Sequence, residues 1–327
     1  MEDFTKFGWF GLTWIKSQFV ANTVPYSPQR SATISKIAMG VAAVPLVSLI
    51  YGMVKGAYKY QVKSVSLKLK NLPDAFQGMK LVHISDIHSG SFYDKEAVRK
   101  GVKMITDLKP DIVFFTGDLV NNEASEFKDY LDVFSVIKAP LGIFSVLGNH
   151  DYGDYKYWAS EEEKKQNLAQ LMDYQKSMGW KLLMDEHVRI EKDGSEIGVI
   201  GIQNWSAKGR FPKYGNLKMA YKGSEDLPVK LLLSHDPSHW EAQVLTGFSD
   251  IDAMFSGHTH GMQFGIEIPG LKWSPVQYIY KQWAGLYSQN GQQLYVNRGF
   301  GFIGYPGRVG IWPEITVLTL EKGEPIV

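Results

Sequence analysis

The 327-residue chain contains no cysteine. This absence excludes disulfide bonds, thiolate catalysis and cysteine-ligated zinc or iron–sulfur sites. The sequence also has little net charge, because 35 Lys and Arg residues face 34 Asp and Glu residues. The resulting charge of +1 provides no overall field that favours a nucleic acid. Apolar residues make up 44% of the chain, which is typical of a globular protein with a buried core.

Residues 1–60 differ in composition from the rest of the chain. Ile37 to Val54 is an uncharged run of eighteen residues between Lys36 and Lys55. As a helix it would extend about 27 Å, close to the lower limit for crossing a bilayer. We therefore predict a membrane anchor at about 37–54 within an N-terminal membrane-associated segment, 1–60. The alternatives are a buried helix or a signal segment, but no A-x-A cleavage site follows the run.

An aromatic-rich stretch between Phe4 and Phe19 precedes the predicted anchor. Its aromatic rings beside lysines are typical of an interfacial helix, and a helix that packs on the main domain is the alternative. More lysines follow the apolar run than precede it. By the positive-inside rule this asymmetry favours a cytoplasmic catalytic domain at a bacterial-type inner membrane.

From Val62 onward, short apolar strands alternate with helical segments, which predicts an α/β layered fold. Five of the predicted strands are followed directly by polar residues. These strands are 80–84, 112–116, 142–147, 230–233 and 253–255.

The residues after these five strands are of the types that bind metal ions in proteins. They are Asp86 and His88, Asp118, Asn149 and His150, His235, and His258 and His260. The carboxyl ends of strands in an α/β sheet lie at one edge, where adjacent loops converge. Residues two apart along a strand also point to the same side. The sequence therefore predicts a single metal site at this edge.

This series, D-x-H, G-D, G-N-H-D, H and G-H-T-H, resembles the calcineurin-like metallophosphoesterase family over about residues 62–320. The resemblance implies a four-layer α/β/β/α sandwich of two mixed sheets in a domain at 61–327. It also implies a hydrolase that cleaves a phosphoester, phosphodiester or pyrophosphate bond with a hydroxide shared by two divalent ions.

The family pattern implies a role for each matching residue. The implied ligands are Asp86, His88 and His260 for one ion, Asn149, His235 and His258 for the other, and Asp118 as the bridge. His150 is implied to be a catalytic residue that faces the substrate. Imidazole and carboxylate ligands suit manganese, iron and zinc, and we favour manganese.

Two substrate contacts are also predicted, outside the series of metal-binding residues. Arg298 is expected to bind a phosphate through its guanidinium, with a surface salt bridge as the alternative. Residues 152–228 are predicted to form a cap insertion, and Trp158 and three nearby tyrosines are expected to contact the leaving group. The charged helix within this range also fits a packed surface helix. Asp151 is a candidate orienter of His150 or a turn residue.

Membrane-attached members of the family include phosphodiesterases and UDP-2,3-diacylglucosamine pyrophosphatases. By analogy we expect a phosphate-containing small molecule or lipid as the substrate, in contact with a membrane. The alternatives are a general phosphodiesterase for soluble substrates and a non-catalytic, metal-stabilised membrane scaffold. A nucleic-acid partner is not expected, because no basic cluster lies near the motifs.

Overall fold

The computed structural model describes residues 28–209 and 211–325. The chain divides into two compact units, Met1–Ser48 and Leu49–Val327. The aromatic stretch predicted at 4–19 lies outside the described residues. The predicted domain boundary at residue 60 stays a prediction, and the division by contacts falls twelve residues earlier.

One long apolar helix begins the described part of the chain. Helix α1, Pro28–Tyr51, continues into a π-helical turn at Gly52–Gly56. Within the described residues, Ala32–Gly56 is the one helical stretch long and apolar enough to cross a membrane, with a mean hydropathy of 2.1. This stretch contains the predicted anchor and is compatible with that role.

The strands of the described residues form two six-stranded mixed sheets and one separate hairpin. The strands are β1 Gln61–Leu69, β2 Lys80–Ile84, β3 Ile112–Phe115, β4 Ile143–Ser145, β5 Lys181–Leu182, β6 Glu186–Lys192, β7 Ser195–Gly201, β8 Lys230–Leu233, β9 Ala253–Ser256, β10 Ile266–Ile268, β11 Leu271–Trp273, β12 Gly285–Gln289, β13 Gln292–Val296 and β14 Glu314–Lys322. The first sheet has the order β1-β14-β2-β3-β4-β5 and the second β12-β13-β9-β8-β7-β6, while β10 pairs with β11. Strands β2 to β5 run parallel, as do β7, β8, β9 and β13.

Further helices connect the strands: α2 Lys95–Asp107, α3 Leu131–Phe134, α4 Glu161–Ser177, α5 Leu217–Tyr221 and α6 Leu245–Gly247. Local sequence explains the two longer ones. The Asp94 carboxylate caps α2 by accepting a hydrogen bond from the Ala97 N–H at 2.9 Å, and the Ser160 hydroxyl caps α4. In α2, Val98, Val102 and Ile105 recur at helical spacing and are buried.

Alternate residues of the central strands build the layers. Leu81 on β2 and Phe114 on β3 point inward and pack against Phe255 of the second sheet. Ile84 on β2 points outward and packs against Val98 of α2, while Met254 on β9 packs outward against Trp240. The described chain therefore has helices outside both sheets, and the predicted four-layer α/β/β/α sandwich is confirmed.

The segment predicted as a cap insertion, 152–228, contributes strands to both sheets. Strand β5 extends the first sheet beside β4, and β6 and β7 form one side of the second sheet. These strands are therefore part of the sandwich, which corrects the prediction for residues 181–201. A cap role for the rest of the range stays a prediction.

Candidate metal centre

The loops after β2, β3 and β9 carry candidate ligands with unusual backbone conformations. Asp86, His88, Asp118, His258 and His260 have φ angles of 52°, 48°, 60°, 69° and 50°. These values lie in the left-handed region, which non-glycine residues rarely adopt and which is enriched at functional sites. Backbone hydrogen bonds hold the loops there: the Asp86 N–H donates to the Gly117 carbonyl at 2.9 Å and the His88 N–H to the Asp118 carbonyl at 3.0 Å.

The candidate ligands form two clusters, each with its ligand atoms within 4.8 Å of one another. One contains Asp86, His88 and His260, and the other contains Asp118, His235 and His258.

Asp118 lies between the two clusters. Its Oδ2 is 3.5 Å from His88 Nε2 in the first cluster and 3.1 Å from His235 Nε2 in the second. A carboxylate in this position is within reach of both clusters.

Asn149 contributes a buried amide oxygen to the site. Its Nδ2 donates to the Tyr155 hydroxyl at 2.9 Å, whereas its Oδ1 is buried and has no hydrogen-bond partner among the described residues. An unpaired buried carbonyl oxygen is unfavourable, and a cation beside it removes that penalty.

Hydrogen bonds to neighbouring residues orient several of the imidazole rings. His235 donates its Nδ1–H to the Thr116 carbonyl at 2.7 Å, which directs Nε2 toward Asp118 Oδ2, 3.1 Å away. His258 Nε2 lies 3.0 Å from the Tyr280 hydroxyl, which donates in turn to Asp236 Oδ2 at 3.1 Å. The Nδ1 of His258 then faces His235 Nε2 at 3.2 Å. Such outer contacts are usual for histidines that bind metal ions.

The charge states of His88 and His258 also fit cation binding. Burial lowers the pKa of His88 to about 3 and lowers the pKa of His258, so both rings are neutral and keep a lone pair. Burial also opposes protonation of His235, but the Asp118 carboxylate outweighs it and raises the pKa of His235 to about 10. The buried carboxylates therefore favour positive charge at this position. These nitrogen and oxygen donors fit two divalent cations.

His150 lies beside both clusters, and its ring is half-buried. Its backbone N–H donates to Asp118 Oδ1 at 2.9 Å. Its Nδ1 lies 2.8 Å from the Asn121 carbonyl, which can only accept, so this nitrogen carries a hydrogen. The contact leaves Nε2 as the nitrogen available to a substrate. The ring packs edge-on against His88 with a centroid distance of 5.0 Å.

A cavity of about 200 Å³ opens onto these residues. Its polar floor comprises His88, Asp118, Asn149, His150, His258 and His260. Its wall is largely apolar and comprises Phe211, Met262, Val276, Ile279, Tyr280 and Ile303. Sequence reasoning did not predict this wall.

Residues 79–262 match the family model described as calcineurin-like phosphoesterase. The chain belongs to the calcineurin-like phosphoesterase family. Membership implies metal-dependent hydrolysis of phosphoesters, and the family binds two divalent metal ions. The two ligand clusters of this phosphoesterase agree with that requirement.

Similar proteins are found in animals and bacteria. A Danio rerio protein named "Transmembrane protein with metallophosphoesterase domain" is 30% identical over 286 residues, which cover 85% of this chain and 61% of that protein. "Uncharacterized metallophosphoesterase YkuE" of Bacillus subtilis (strain 168) is 27% identical, with 83% and 90% covered. "Uncharacterized metallophosphoesterase YkoQ" of the same strain is 25% identical, with 86% and 97% covered. The chain thus spans about three fifths of the length of the zebrafish relative.

Two predicted substrate contacts of this phosphoesterase need correction. Arg298 is only 4% exposed, and its guanidinium lies between Glu314 and Glu267, with Nη2 2.7 Å from Glu267 Oε1. Trp158 does not line the cavity, because its Nε1–H donates to the Gly153 carbonyl within the same turn at 2.7 Å. Tyr155 is the aromatic residue of this segment that contacts His150, with a centroid distance of 4.6 Å.

Asp151 connects two site loops. Its carboxylate accepts hydrogen bonds from the backbone N–H groups of Asp118 at 2.9 Å, Leu119 at 2.7 Å and Gly148 at 2.8 Å. These contacts join the loop after β3 to the loop after β4. Of the two alternatives for Asp151, the described contacts fit the structural one.

Proposed function

We propose that this chain is a membrane-attached two-metal phosphoesterase that acts on an amphiphilic phosphodiester or pyrophosphate, such as a nucleotide-activated acyl sugar. The observation that carries the proposal is the composition of the cavity, in which an apolar wall faces the two buried ligand clusters. The apolar stretch Ala32–Gly56 and the name of the zebrafish relative support membrane attachment. A tethered enzyme meets amphiphilic substrates at high local concentration, whereas soluble substrates gain nothing from the tether.

The proposed ligands of the two ions are the seven residues predicted from the sequence: Asp86, His88, Asp118, Asn149, His235, His258 and His260. Bound divalent ions supply Lewis-acid activation of the phosphoryl group and of a water molecule. The two carboxylates among the ligands leave two divalent ions with excess positive charge, which attracts a phosphate. Manganese remains our favoured metal, and the domain is proposed to face the cytoplasm.

His150 is the proposed catalytic residue outside the ligand set. Its Nδ1–H is held by the Asn121 carbonyl, so its Nε2 is oriented to donate a proton to the leaving oxygen when the ring is protonated. The apolar side chains of Phe211, Ile279 and Ile303 exclude water from one side of the reacting group. Such exclusion strengthens the electrostatic interactions within the cavity.

The substrate class is tested with detergent-extracted full-length protein and added manganese. We expect a lower KM for acylated nucleotide sugars in mixed micelles than for their deacylated forms. Equal efficiency on both forms would favour the alternative, a general phosphodiesterase for soluble substrates. No hydrolysis of any phosphoester, diester or pyrophosphate in the panel would favour a non-catalytic scaffold.

The role of His150 is tested with H150A. We expect both metal ions to remain bound and kcat to fall about 10²–10⁴-fold, the usual contribution of a general acid. A nitrophenyl substrate should lose less activity, because its leaving group needs no proton. H187A is the matched control, since His187 also lies 3.0 Å from a backbone carbonyl through Nδ1 but is remote from the cavity. Loss of either ion from H150A would contradict its assignment as a residue that binds no metal.

A further inference from the structure

The β10–β11 hairpin turns its apolar face outward. The pairs Ile266–Trp273 and Ile268–Leu271 lie on one face, because residues opposite each other in a hairpin share a face. Ile266, Ile268 and Leu271 are 45%, 59% and 49% exposed. A hairpin at the surface of a water-soluble domain normally shows the reverse pattern, with polar residues outward.

The charged groups on the other face of the hairpin contact the rest of the protein, although the Lys272 side chain stays largely exposed. Glu267 accepts a hydrogen bond from Arg298 at 2.7 Å and lies 3.6 Å from Lys63 Nζ. Lys272 donates to the Ala284 carbonyl at 2.6 Å, and its Nζ lies 5.0 Å from the centroid of the Trp283 ring. Because Arg298 is itself buried, turning the hairpin over would break an ion pair at low dielectric. The outward orientation of the apolar face is therefore fixed.

The exposed apolar surface continues from the hairpin to the mouth of the cavity. Phe264, two residues before Ile266, is 38% exposed, and Met262 is 48% exposed. Ile279 is 43% exposed, and both Met262 and Ile279 line the cavity. A molecule held on the hairpin face is thus adjacent to the entrance of the candidate site.

The end of the apolar helical stretch packs against the loop that supports the hairpin. Within the unit Leu49–Val327, the Arg308 N–H donates to the Gly52 carbonyl at 3.2 Å, and the Tyr305 hydroxyl donates to the Leu49 carbonyl. The neighbouring residue Val309 accepts a hydrogen bond from the Gly265 N–H at 2.9 Å. One short loop therefore joins the end of a stretch suited to a membrane to the base of the hairpin.

We propose that the outward face of β10–β11, with Phe264 and Met262, is a second membrane contact that inserts into the headgroup region of the lipid bilayer. The proposal rests on the membrane attachment proposed above. A bilayer fits this face better than a protein partner, because the face adjoins the end of the membrane-compatible stretch and its charges point away from it. The contact places the cavity entrance at the bilayer surface, where an amphiphilic phosphate ester can enter without leaving the lipid.

Because the chain contains no cysteine, a single introduced cysteine can be labelled specifically. Full-length I268C and L271C are labelled with an environment-sensitive fluorophore and reconstituted into phosphatidylethanolamine–phosphatidylglycerol vesicles. V136C and M219C are matched controls, because Val136 and Met219 are 54% and 55% exposed and lie outside the hairpin. We expect lipids with a quencher near the headgroup to quench the hairpin labels at least about threefold more than the control labels. Aqueous iodide should show the opposite order.

Two results would overturn the proposal. Labels on Ile268 and Leu271 that are as accessible to iodide as those on Val136 would mean that the face is in water. Labels shielded from iodide but not quenched by lipid would mean that another protein or a second copy covers the face.

An activity measurement separates this proposal from the proposed function. The double variant I268E/L271E should raise KM for an acylated substrate in vesicles about tenfold and leave a soluble nitrophenyl substrate unaffected, because neither residue lines the cavity. If lipid quenches the hairpin labels but the enzyme shows no preference for acylated substrates, the hairpin contact is supported and only the substrate proposal is wrong. If the enzyme prefers acylated substrates but the hairpin labels are exposed to water, the substrate proposal is supported and the hairpin contact is wrong.

Discussion

At the scale of single residues, the molecule contains a buried ion pair between Arg298 and Glu314. Arg298 and Glu314 are both almost fully buried, and Glu267 adds a second carboxylate to the guanidinium. Burial opposes the charge on Arg298, but Glu314 and Glu267 outweigh it and raise its pKa. Glu314 also accepts hydrogen bonds from the Tyr295 and Thr316 hydroxyls, each at 2.6 Å. Such networks are strongly destabilised when one partner is removed.

R298M is therefore expected to lower the free energy of unfolding by about 3–5 kcal/mol, because Glu314 is left buried and unpaired. Urea denaturation at pH 7 measures the change. KM for a soluble phosphoester should stay unchanged at temperatures where the variant is folded. R189M is the control, since Arg189 pairs with Glu196 and Asp226 at the surface, and its loss should lower the free energy of unfolding far less than the loss of Arg298. Unchanged stability with a raised KM would restore the phosphate contact that the sequence suggested.

At the scale of loops and strands, the candidate site is held by a segment that contains none of the proposed ligands. The Phe300 and Gly301 N–H groups donate to the carbonyls of Ser85 and Asp86, both at 2.8 Å, in the loop after β2. A Cβ on Gly301 would overlap the Ile87 carbonyl oxygen. The loop after β13 therefore fixes the backbone that presents Asp86 to its cluster.

G301A is expected to weaken binding of the ion proposed for Asp86 and His88 by roughly 10–100-fold, the range found for residues that orient ligands. Titration calorimetry with manganese on metal-stripped protein measures the affinity. G247A is the control, because a Cβ on Gly247 meets no atom within 4 Å. Equal manganese affinity in G301A and the unaltered protein would show that the loop after β2 keeps its position without this contact.

The elements predicted from sequence were those with strong local signals. The predicted strand at 80–84 coincides with β2, Lys80–Ile84, because Leu81, Val82 and Ile84 give this short segment a local apolar signal. Strand β6 was missed within the predicted cap because Glu186, Arg189 and Lys192 give it the polarity of a surface segment. The β10–β11 hairpin was missed because its apolar side faces out. Phe211 and Tyr280 reach the cavity from distant loops, and no local pattern encodes such tertiary packing.

At the scale of the whole molecule, the compact unit that contains the candidate site begins at Leu49, not after the apolar stretch. Residues 49–56 pack on the loop at 305–309, and a Cβ on Gly52 would clash with the Val309 side chain. The part of helix α1 before residue 49 belongs to the other compact unit. This division sets where the chain can be shortened without removing contacts of the catalytic unit.

Deletion of residues 1–48 is therefore expected to release a folded, metal-binding domain that still hydrolyses soluble phosphoesters. Most of the stretch suited to crossing the membrane is then absent, so firm attachment is lost. The proposed hairpin contact predicts weak residual binding to vesicles, because a few inserted side chains give only reversible association. Sedimentation with vesicles before and after a salt wash measures both effects.

Deletion of residues 1–56 is the matched comparison and should lower the melting temperature further, because it removes the packing of Gly52 on the 305–309 loop. If the protein that lacks residues 1–48 stays on membranes after the wash, the anchor lies elsewhere in the chain. If that protein fails to fold, the N-terminal unit is part of the core.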